Sequence, residues 1–414
     1  MSIDVRTRVA STVRSLSGDE IFDTVLPDGR DQNGPLAARG ARFLELPALG
    51  LDVDGRTLTL EATEHDLLLR PGLDAAGIVA VLPAEALSDL LQDRASAIGL
   101  AMQERVKITA GSISHWVRWE PVLRALLDGR KVHEPGDVTF VDRDGGPLPL
   151  DRRFTMDDDR DEMAHFLEEA GFLHVRGVFE PPEMSTLSAD IDEWIGRATP
   201  DDGASWWASD VDGNAQAVRV LFFHEKSEVL PSLLSDPRFT WIGDLTGDGH
   251  RPTGTAEGLV KPLGIVRGLS DLPWHKDCGQ GGHSYTCSNL TCGISATGAD
   301  RSSGALGVVP GSHRANTTAS GLDPRLALDP ILLETEVGDV TVHCSDTLHR
   351  AHPPVERTRK VVYSGFTLPP LEPVAAADPA TLRAARARLS DVQSRIEAAD
   401  NEESPRRYRA GLGR

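Results

Sequence analysis

The chain has 414 residues, 40% of them hydrophobic and 26% charged, the balance of a soluble globular protein long enough for two domains. Its formal charge of −20 at pH 7 argues against nucleic acid and anionic membrane surfaces as partners, since both attract basic patches. The start, Met1–Leu16, alternates charges without the apolar stretch of a signal peptide, and no run approaches the roughly 18 apolar residues that cross a bilayer. A cytoplasmic location is therefore expected, with no membrane partner.

Taken in chain order, residues 1–135 predict an accessory α+β domain. Between Ala41 and Arg130 lie short alternating segments such as Thr57–Glu61, then a helical stretch and a strand-like Val106–Thr109. A closing helix follows, with an apolar face of Val122, Leu123, Leu126 and Leu127. The stretch Glu134–Arg153 is rich in turn-forming Gly, Pro and Asp and marks a linker over residues 136–153. Asp157, Asp158 and Asp159 then supply the cap of a helix whose stripe is Met163, Phe166, Leu167 and Ala170 and which stops at Gly171. A second stripe, Met184, Leu187, Ile191 and Trp194, predicts another flanking helix.

From Leu259 to Pro369 strands predominate, which fits an eight-stranded double-sheet jelly roll and places a larger domain over residues 154–372. Residues 373–414 turn helical again. Asp378-Pro379 forms the start, and Leu382, Ala385, Leu389, Val392 and Ile396 form a stripe that would cover the barrel or a second subunit. Asn401–Arg414 reads as a disordered tail. The four cysteines, Cys278, Cys287, Cys292 and Cys344, include no C-x-x-C pair, so neither a zinc site nor a disulfide framework is expected, and Cys278 reads as a small buried side chain.

The chemistry concentrates at His275-Lys276-Asp277. Side chains two apart on a strand share a face, so the pair would offer an imidazole nitrogen and a carboxylate oxygen to one ion. A further histidine on a neighbouring strand would complete two His and one carboxylate on one side of a metal, the arrangement of non-haem Fe(II) oxygenases. Three histidines compete for that place: His343, His349 and His352.

Motifs downstream of this pair are more specific. Gly304–His313 (GALGVVPGSH), Gly338–His343 (GDVTVH), Leu348-His349-Arg350 and Arg359–Tyr363 (RKVVY), in this order, resemble the phytanoyl-CoA dioxygenase family of Fe(II)/2-oxoglutarate-dependent oxygenases. The likeness runs from about Glu162 to Leu371 and includes Gly171–Val178 as an opening strand. It implies a double-stranded β-helix (a cupin-like jelly roll) with flanking helices, and Fe(II), 2-oxoglutarate and O2 as cofactor and co-substrates. It also implies that His275, Asp277 and His349 are the ligands, with His343 at a position where the family often has a histidine that does not ligate. Arg359 would grip the far carboxylate of 2-oxoglutarate through a bidentate fork, with Arg357 in reserve.

One position departs from the family pattern. The serine or threonine usually found two residues after the distal histidine is Ala351 here, so its contact to 2-oxoglutarate must come from elsewhere; Asn289 and Thr291 are candidates. Pro310–His313 reads as a turn whose histidine is not a ligand, His283 as a solvated loop residue at the barrel mouth, and Trp206-Trp207 as packing. Trp274, beside the pair, reads as packing too. Related halogenases have a small residue in place of the carboxylate, so Asp277 implies hydroxylation or another oxidation of a C–H bond. Residues 41–130 are also similar to the sterol-carrier-protein-2-like domain, which implies an apolar tunnel and a lipid-like or carrier-bound small-molecule substrate. The competing expectation is a lipid or acyl-thioester binding protein with a metal-binding barrel that does not use 2-oxoglutarate.

Overall fold

A computed structural model describes residues 14–268, 272–279, 283, 285, 287, 289–369 and 378–388. The first unit is a mixed sheet of β1 (Leu49–Val53), β2 (Arg56–Ala62), β3 (Leu67–Pro71), β4 (Ile78–Leu82) and β5 (Lys107–Ala110) in the order β3-β2-β1-β4-β5. Only the central pair, β1 with β4, is parallel. Helix Ile113–Asp128 begins at the Ser112 cap and ends on a left-handed Gly129. Its Trp116, Trp119, Val122, Leu123 and Leu126 are buried, and Leu127 is half-buried. Trp116 and Trp119, both fully buried, share one core with Leu49, Leu51, Ile78 and Ala80 of the sheet.

A helical segment from Gly18 to Phe43 packs on that helix, a stretch for which the sequence pattern predicts no helix. Gly29, Gly34, Pro35 and Gly40 lie within it, and glycine here permits close approach. A Cβ on Gly40 would stand 2.4 Å from Val132, and one on Gly29 would stand 3.1 Å from the Leu126 carbonyl.

The second unit begins with β6 (Phe154–Thr155), helix Arg160–Ala170, β7 (Phe172–Arg176) and helix Pro181–Arg197. Asp159 caps the first of these helices by accepting from the Asp161 N–H at 2.8 Å. Gly171 ends it in the left-handed region at φ +78°, where a Cβ would strike the His313 ring at 2.2 Å. Met163, Phe166, Leu167 and Ala170 are buried as the periodicity predicts, and in the second helix so are Met184, Leu187 and Ile191. Phe166 contacts Phe154 and Phe172 edge-on, each with ring centroids 5.3 Å apart, which fixes the helix against both strands. Such pairs contribute about 0.5–1.5 kcal/mol each beyond the area they bury.

The strands after these helices form two sheets. β8 (Ser205–Asp210), β9 (Ala215–Val220), β10 (Arg251–Pro252), β11 (Glu257–Lys261), β12 (Ile265–Gly268) and β13 (Leu290–Ser295) join β16 (Val340–Cys344) and β18 (Arg359–Thr367). With β6 and β7 they make a ten-stranded sheet, ordered β12-β8-β9-β11-β18-β13-β16-β7-β6 with β10 on β18. β14 (Leu306–Val308), β15 (Ile331–Leu333) and β17 (His349–Ala351) make a three-stranded sheet, ordered β15-β14-β17. Leu306, Val308 and Leu333 of the small sheet share one core with Leu290, Cys292, Ile294, Val340, Val342 and Val362 of the large one. The fold is α+β, with a double-sheet barrel preceded by the smaller unit.

Two sequence expectations change. Strands begin at Ser205 rather than Leu259, so the large sheet exceeds the four strands of an even eight-stranded jelly roll. The C-terminal helix, Pro379–Arg388, is tied to its own barrel by arginines: Arg386 to Glu257 at 2.7 Å and over the Trp206 ring at 4.6 Å, and Arg383 to Glu225. Leu389, Val392, Ile396 and the tail from Asn401 lie outside the described residues. No helix among the described residues is long and apolar enough to cross a membrane.

Candidate metal centre

His275 and His349 come together through backbone pairing. Each donates its N–H to the other's carbonyl at 3.0 Å, an isolated antiparallel bridge at the edge of the small sheet. Beyond His275 the chain turns instead of continuing as a strand, with the Gly279 N–H donating to the Lys276 carbonyl at 3.1 Å. The expectation that His275 and Asp277 share a strand face is thus corrected: a turn swings the carboxylate back to the imidazole. Asp277 Oδ1 lies 3.4 Å from His275 Nε2 and 3.4 Å from His349 Nε2, and the three donor atoms lie within 4.8 Å of one another.

The ring orientations are fixed from behind. His275 Nδ1 lies 2.7 Å from the Pro273 carbonyl and His349 Nδ1 lies 2.9 Å from the Thr347 carbonyl, so each Nδ1–H donates and each Nε2 faces Asp277. Both histidines are buried, whereas the Asp277 side chain is 36% exposed and gives the cluster its opening. Burial alone would raise the Asp277 pKa, but the surrounding His349, His275 and His343 rings hold its carboxyl well below the ordinary carboxylate range. Burial, with His349 alongside, lowers the pKa of His275 and favours the neutral, ligating imidazole.

His343 does not join that donor group, although it is close. It sits on β16 opposite Thr291, its ring centroid 4.1 Å from that of His349 and its Nε2 3.5 Å from Asp277 Oδ2. Burial pushes its pKa down to about 4, and neither of its ring nitrogens has a hydrogen-bond partner. Thr291, expected to meet 2-oxoglutarate, donates to Asp277 Oδ2 at 2.8 Å instead, and Asn289 accepts from Thr367 at 2.7 Å. Thr291 is therefore a carboxylate-orienting residue that sequence reasoning placed elsewhere.

The glycine-rich motif builds the wall behind the site. Gly304 is left-handed at φ +75°, where a Cβ would stand 2.2 Å from the His352 carbonyl. Ser312 Oγ accepts the Leu348 N–H at 2.8 Å and donates to the Val309 carbonyl at 2.7 Å, which pins the residue before His349. His313 Nε2 hydrogen-bonds the Glu168 carbonyl at 2.9 Å, far from a ligand's role. Trp206 is buried, and the Trp207 Nε1 donates to Ser205 at 2.9 Å. Trp274 packs edge-on against His352, centroids 6.2 Å apart.

Arg359 begins β18 and is only 4% exposed, yet its Nε and Nη2 have no hydrogen-bond partner. A buried guanidinium left so costs several kcal/mol unless an anion satisfies it. Arg357, the reserve, is exposed and committed to Asp300. Lys261 on β11 is the register partner of Arg359, is 1% exposed, and donates to the Ala351 carbonyl at 3.3 Å. Burial, then the cations Arg350, Lys261, Arg301 and Arg359, lower the His352 pKa to about 4, so this corner is a field made for a negative charge. Lys261 escapes sequence reasoning because a lysine at the end of an unremarked strand carries no motif.

Residues 167–360 match the sequence model of the phytanoyl-CoA dioxygenase (PhyH) family. The match spans just under half of the chain. The matched region covers both sheets' site-bearing strands, from β7 to the start of β18. No curated protein matches the chain. Among solved structures, it is similar to AviO1 from Streptomyces viridochromogenes Tue57, at 20% identity and TM-score 0.42 over 53% of this chain and 98% of that one. It is also similar to SnoN, a non-haem α-ketoglutarate-dependent epimerase from nogalamycin biosynthesis, at 19% identity and TM-score 0.42 over 53% of this chain and 92% of that one. EctD from S. alaskensis, solved with 2-oxoglutarate and 5-hydroxyectoine, is 17% identical with TM-score 0.43, over 57% of this chain and 86% of that one.

Proposed function

We propose that the barrel is an Fe(II)/2-oxoglutarate-dependent oxygenase that hydroxylates or otherwise oxidises a C–H bond of a small molecule. The observation that carries this reading is the presence of two features in the same barrel. One is a set of two buried imidazoles and a part-exposed carboxylate; the other is Arg359, buried at the start of β18 with two guanidinium nitrogens unsatisfied. The donor set fits Fe(II), and the guanidinium fits the far carboxylate of a dicarboxylate co-substrate.

His275, Asp277 and His349 would hold the iron, which when bound supplies the oxygen chemistry that couples 2-oxoglutarate decarboxylation to substrate oxidation. The chain's own work is placement. Pro273 and Thr347 carbonyls hold the imidazoles, and Thr291 turns the Asp277 carboxylate. Arg359 would clamp the co-substrate, with Lys261 supplying the second positive charge where Ala351 offers no hydroxyl. A carboxylate at position 277 fills the place that a halide would need, which supports oxygen rather than halogen transfer.

Anaerobic addition of Fe(II) and 2-oxoglutarate to the purified apoprotein tests the proposal. A visible metal-to-ligand charge-transfer band is expected in the wild type, absent in His349→Ala and weakened in Arg359→Met. Iron binding without any such band would overturn the role of 2-oxoglutarate.

A further inference from the structure

A second cluster of metal-ligating side chains stands beside the first. Cys278, His283 and Cys287 place their Sγ and ring nitrogen atoms within 4.8 Å of one another. Donor atoms around a tetrahedral zinc stand about 3.3 to 3.8 Å apart, so small side-chain rotations close the group on an ion. Cys287 and His283 are buried and Cys278 is half-buried. His283 Nδ1 lies 2.9 Å from the Tyr285 carbonyl, the same backbone anchor that turns Nε2 of His275 and His349 toward their ligand position.

From this geometry we infer a structural zinc site held by Cys278, His283 and Cys287. In the sequence the three are spaced Cys-x4-His-x3-Cys. The buried Asp346, in the turn after β16, lies close enough to act electrostatically on the thiols of Cys278 and Cys344, outside the three-residue donor group itself. Zinc binding displaces one proton from each of the two thiols, and the buried Lys276 nearby offsets the negative charge of the thiolate set. The site is distinct from the iron cluster, which contains no sulfur.

The consequence is mechanical. The zinc loop starts at the residue after Asp277 and is flanked by anchors on both units. Ser96, the N-cap of helix Ala97–Met102, donates to the Gly279 carbonyl. Tyr285 donates to the Thr317 carbonyl at 3.1 Å and lies under Arg130, whose guanidinium is 5.3 Å from the ring centroid. Cys278 Sγ approaches the Ser345 carbonyl at 3.4 Å. A metal at this junction holds the loop against both units and thereby holds Asp277 against the two histidines.

Metal analysis of the full-length protein, purified under reducing conditions and dialysed against a weak chelator, is the test. Roughly one zinc per chain is expected, kept in His349→Ala and lost in Cys287→Ser and His283→Gln. Zinc that disappears with His349→Ala but survives Cys287→Ser belongs to the iron site and overturns the inference. A Cys278–Cys287 disulfide found by mass spectrometry of the non-reduced protein overturns it as well. Should the cysteine variant fail to fold, cobalt(II) added to the reduced, zinc-stripped wild type decides. A near-ultraviolet thiolate-to-cobalt charge-transfer band can come only from the sulfur site, and its absence refutes the proposal whatever the fate of the 2-oxoglutarate reading.

Discussion

His275 and His349 are each other's backbone partners, with both N–H to carbonyl distances at 3.0 Å. The two imidazoles are therefore set by a sheet register and not by side-chain packing alone, and their centroids stand 4.2 Å apart before any ion is added. Preorganisation of this kind means that a ligand lost is not replaced by a neighbour. His275→Ala and His349→Ala are each expected to abolish stoichiometric iron binding in equilibrium dialysis while leaving the circular-dichroism spectrum unchanged. Retained iron in either variant would show that another side chain completes the site.

Arg359 is buried with two guanidinium nitrogens unsatisfied, so it gains most when a carboxylate arrives. Charge-assisted bonds to one carboxylate contribute about 1.5–3 kcal/mol, so Arg359→Met should raise the KM for 2-oxoglutarate about 10–100-fold. Arg359→Lys should recover little, because the fork geometry is lost. Lys261→Met should give a smaller increase in the same constant. Equal KM values in the wild type and in Arg359→Met would remove Arg359 from the co-substrate site.

Much of this architecture is legible in the sequence because local rules carry it. The stripe Met163, Phe166, Leu167, Ala170 and its Asp159 and Gly171 boundaries are decided within one helix, and they fold as periodicity and capping dictate. The family motif puts His275, Asp277, His349 and Arg359 in one place, and the structure gathers the first three around a common point. Contacts that depend on distant strands are not legible. Thr291 meets Asp277 only because β13 lies beside β16, and Lys261 meets Arg359 only through the β11–β18 register. Helix Leu26–Phe43 is hidden for a different reason: it contains Gly29, Gly34, Pro35 and Gly40, which a propensity scale counts as breaking, although Gly29 serves close approach to helix Ile113–Asp128. Cys278, His283 and Cys287 look unrelated because their convergence needs the turn after Asp277.

Asp339, between the Val337-Gly338 turn and β16, ties three segments together. Its carboxylate accepts from His174 at 2.8 Å, from the Gly177 N–H at 2.9 Å and from the Glu336 N–H at 2.9 Å. Burial works against the charge, but the His174 and backbone donors outweigh it and hold the pKa below the ordinary value. A depressed carboxyl stabilises the fold above its unfolded pKa, and that contribution is lost as pH falls through the folded value. Wild-type urea midpoints should therefore fall between about pH 5 and about pH 3 more steeply than those of Asp339→Asn. Asp339→Ala, which strands all three donors, should cost on the order of 3 kcal/mol at neutral pH. Parallel pH profiles for wild type and Asp339→Asn would mean that the carboxylate's charge is not what holds these segments.

His343 and His349 both face Asp277, but from different sides. His349 Nε2 lies 3.4 Å from Oδ1, the oxygen shared with His275, whereas His343 Nε2 lies 3.5 Å from Oδ2, the oxygen that also accepts from Thr291. An ion drawn to Oδ1 would thus be ligated by His349, with His343 flanking the opposite edge of the carboxylate. Removing a group that only orients a ligand lowers metal affinity about 10–100-fold, whereas removing a ligand itself leaves no measurable site. His343→Leu is accordingly expected to raise the iron Kd by about that factor and to keep the charge-transfer band at saturating iron, while His349→Leu shows neither. If calorimetric titration gives the reverse order, with iron held by the His349 variant and lost from the His343 variant, then the distal ligand lies on β16 of the large sheet and not on β17 of the small one.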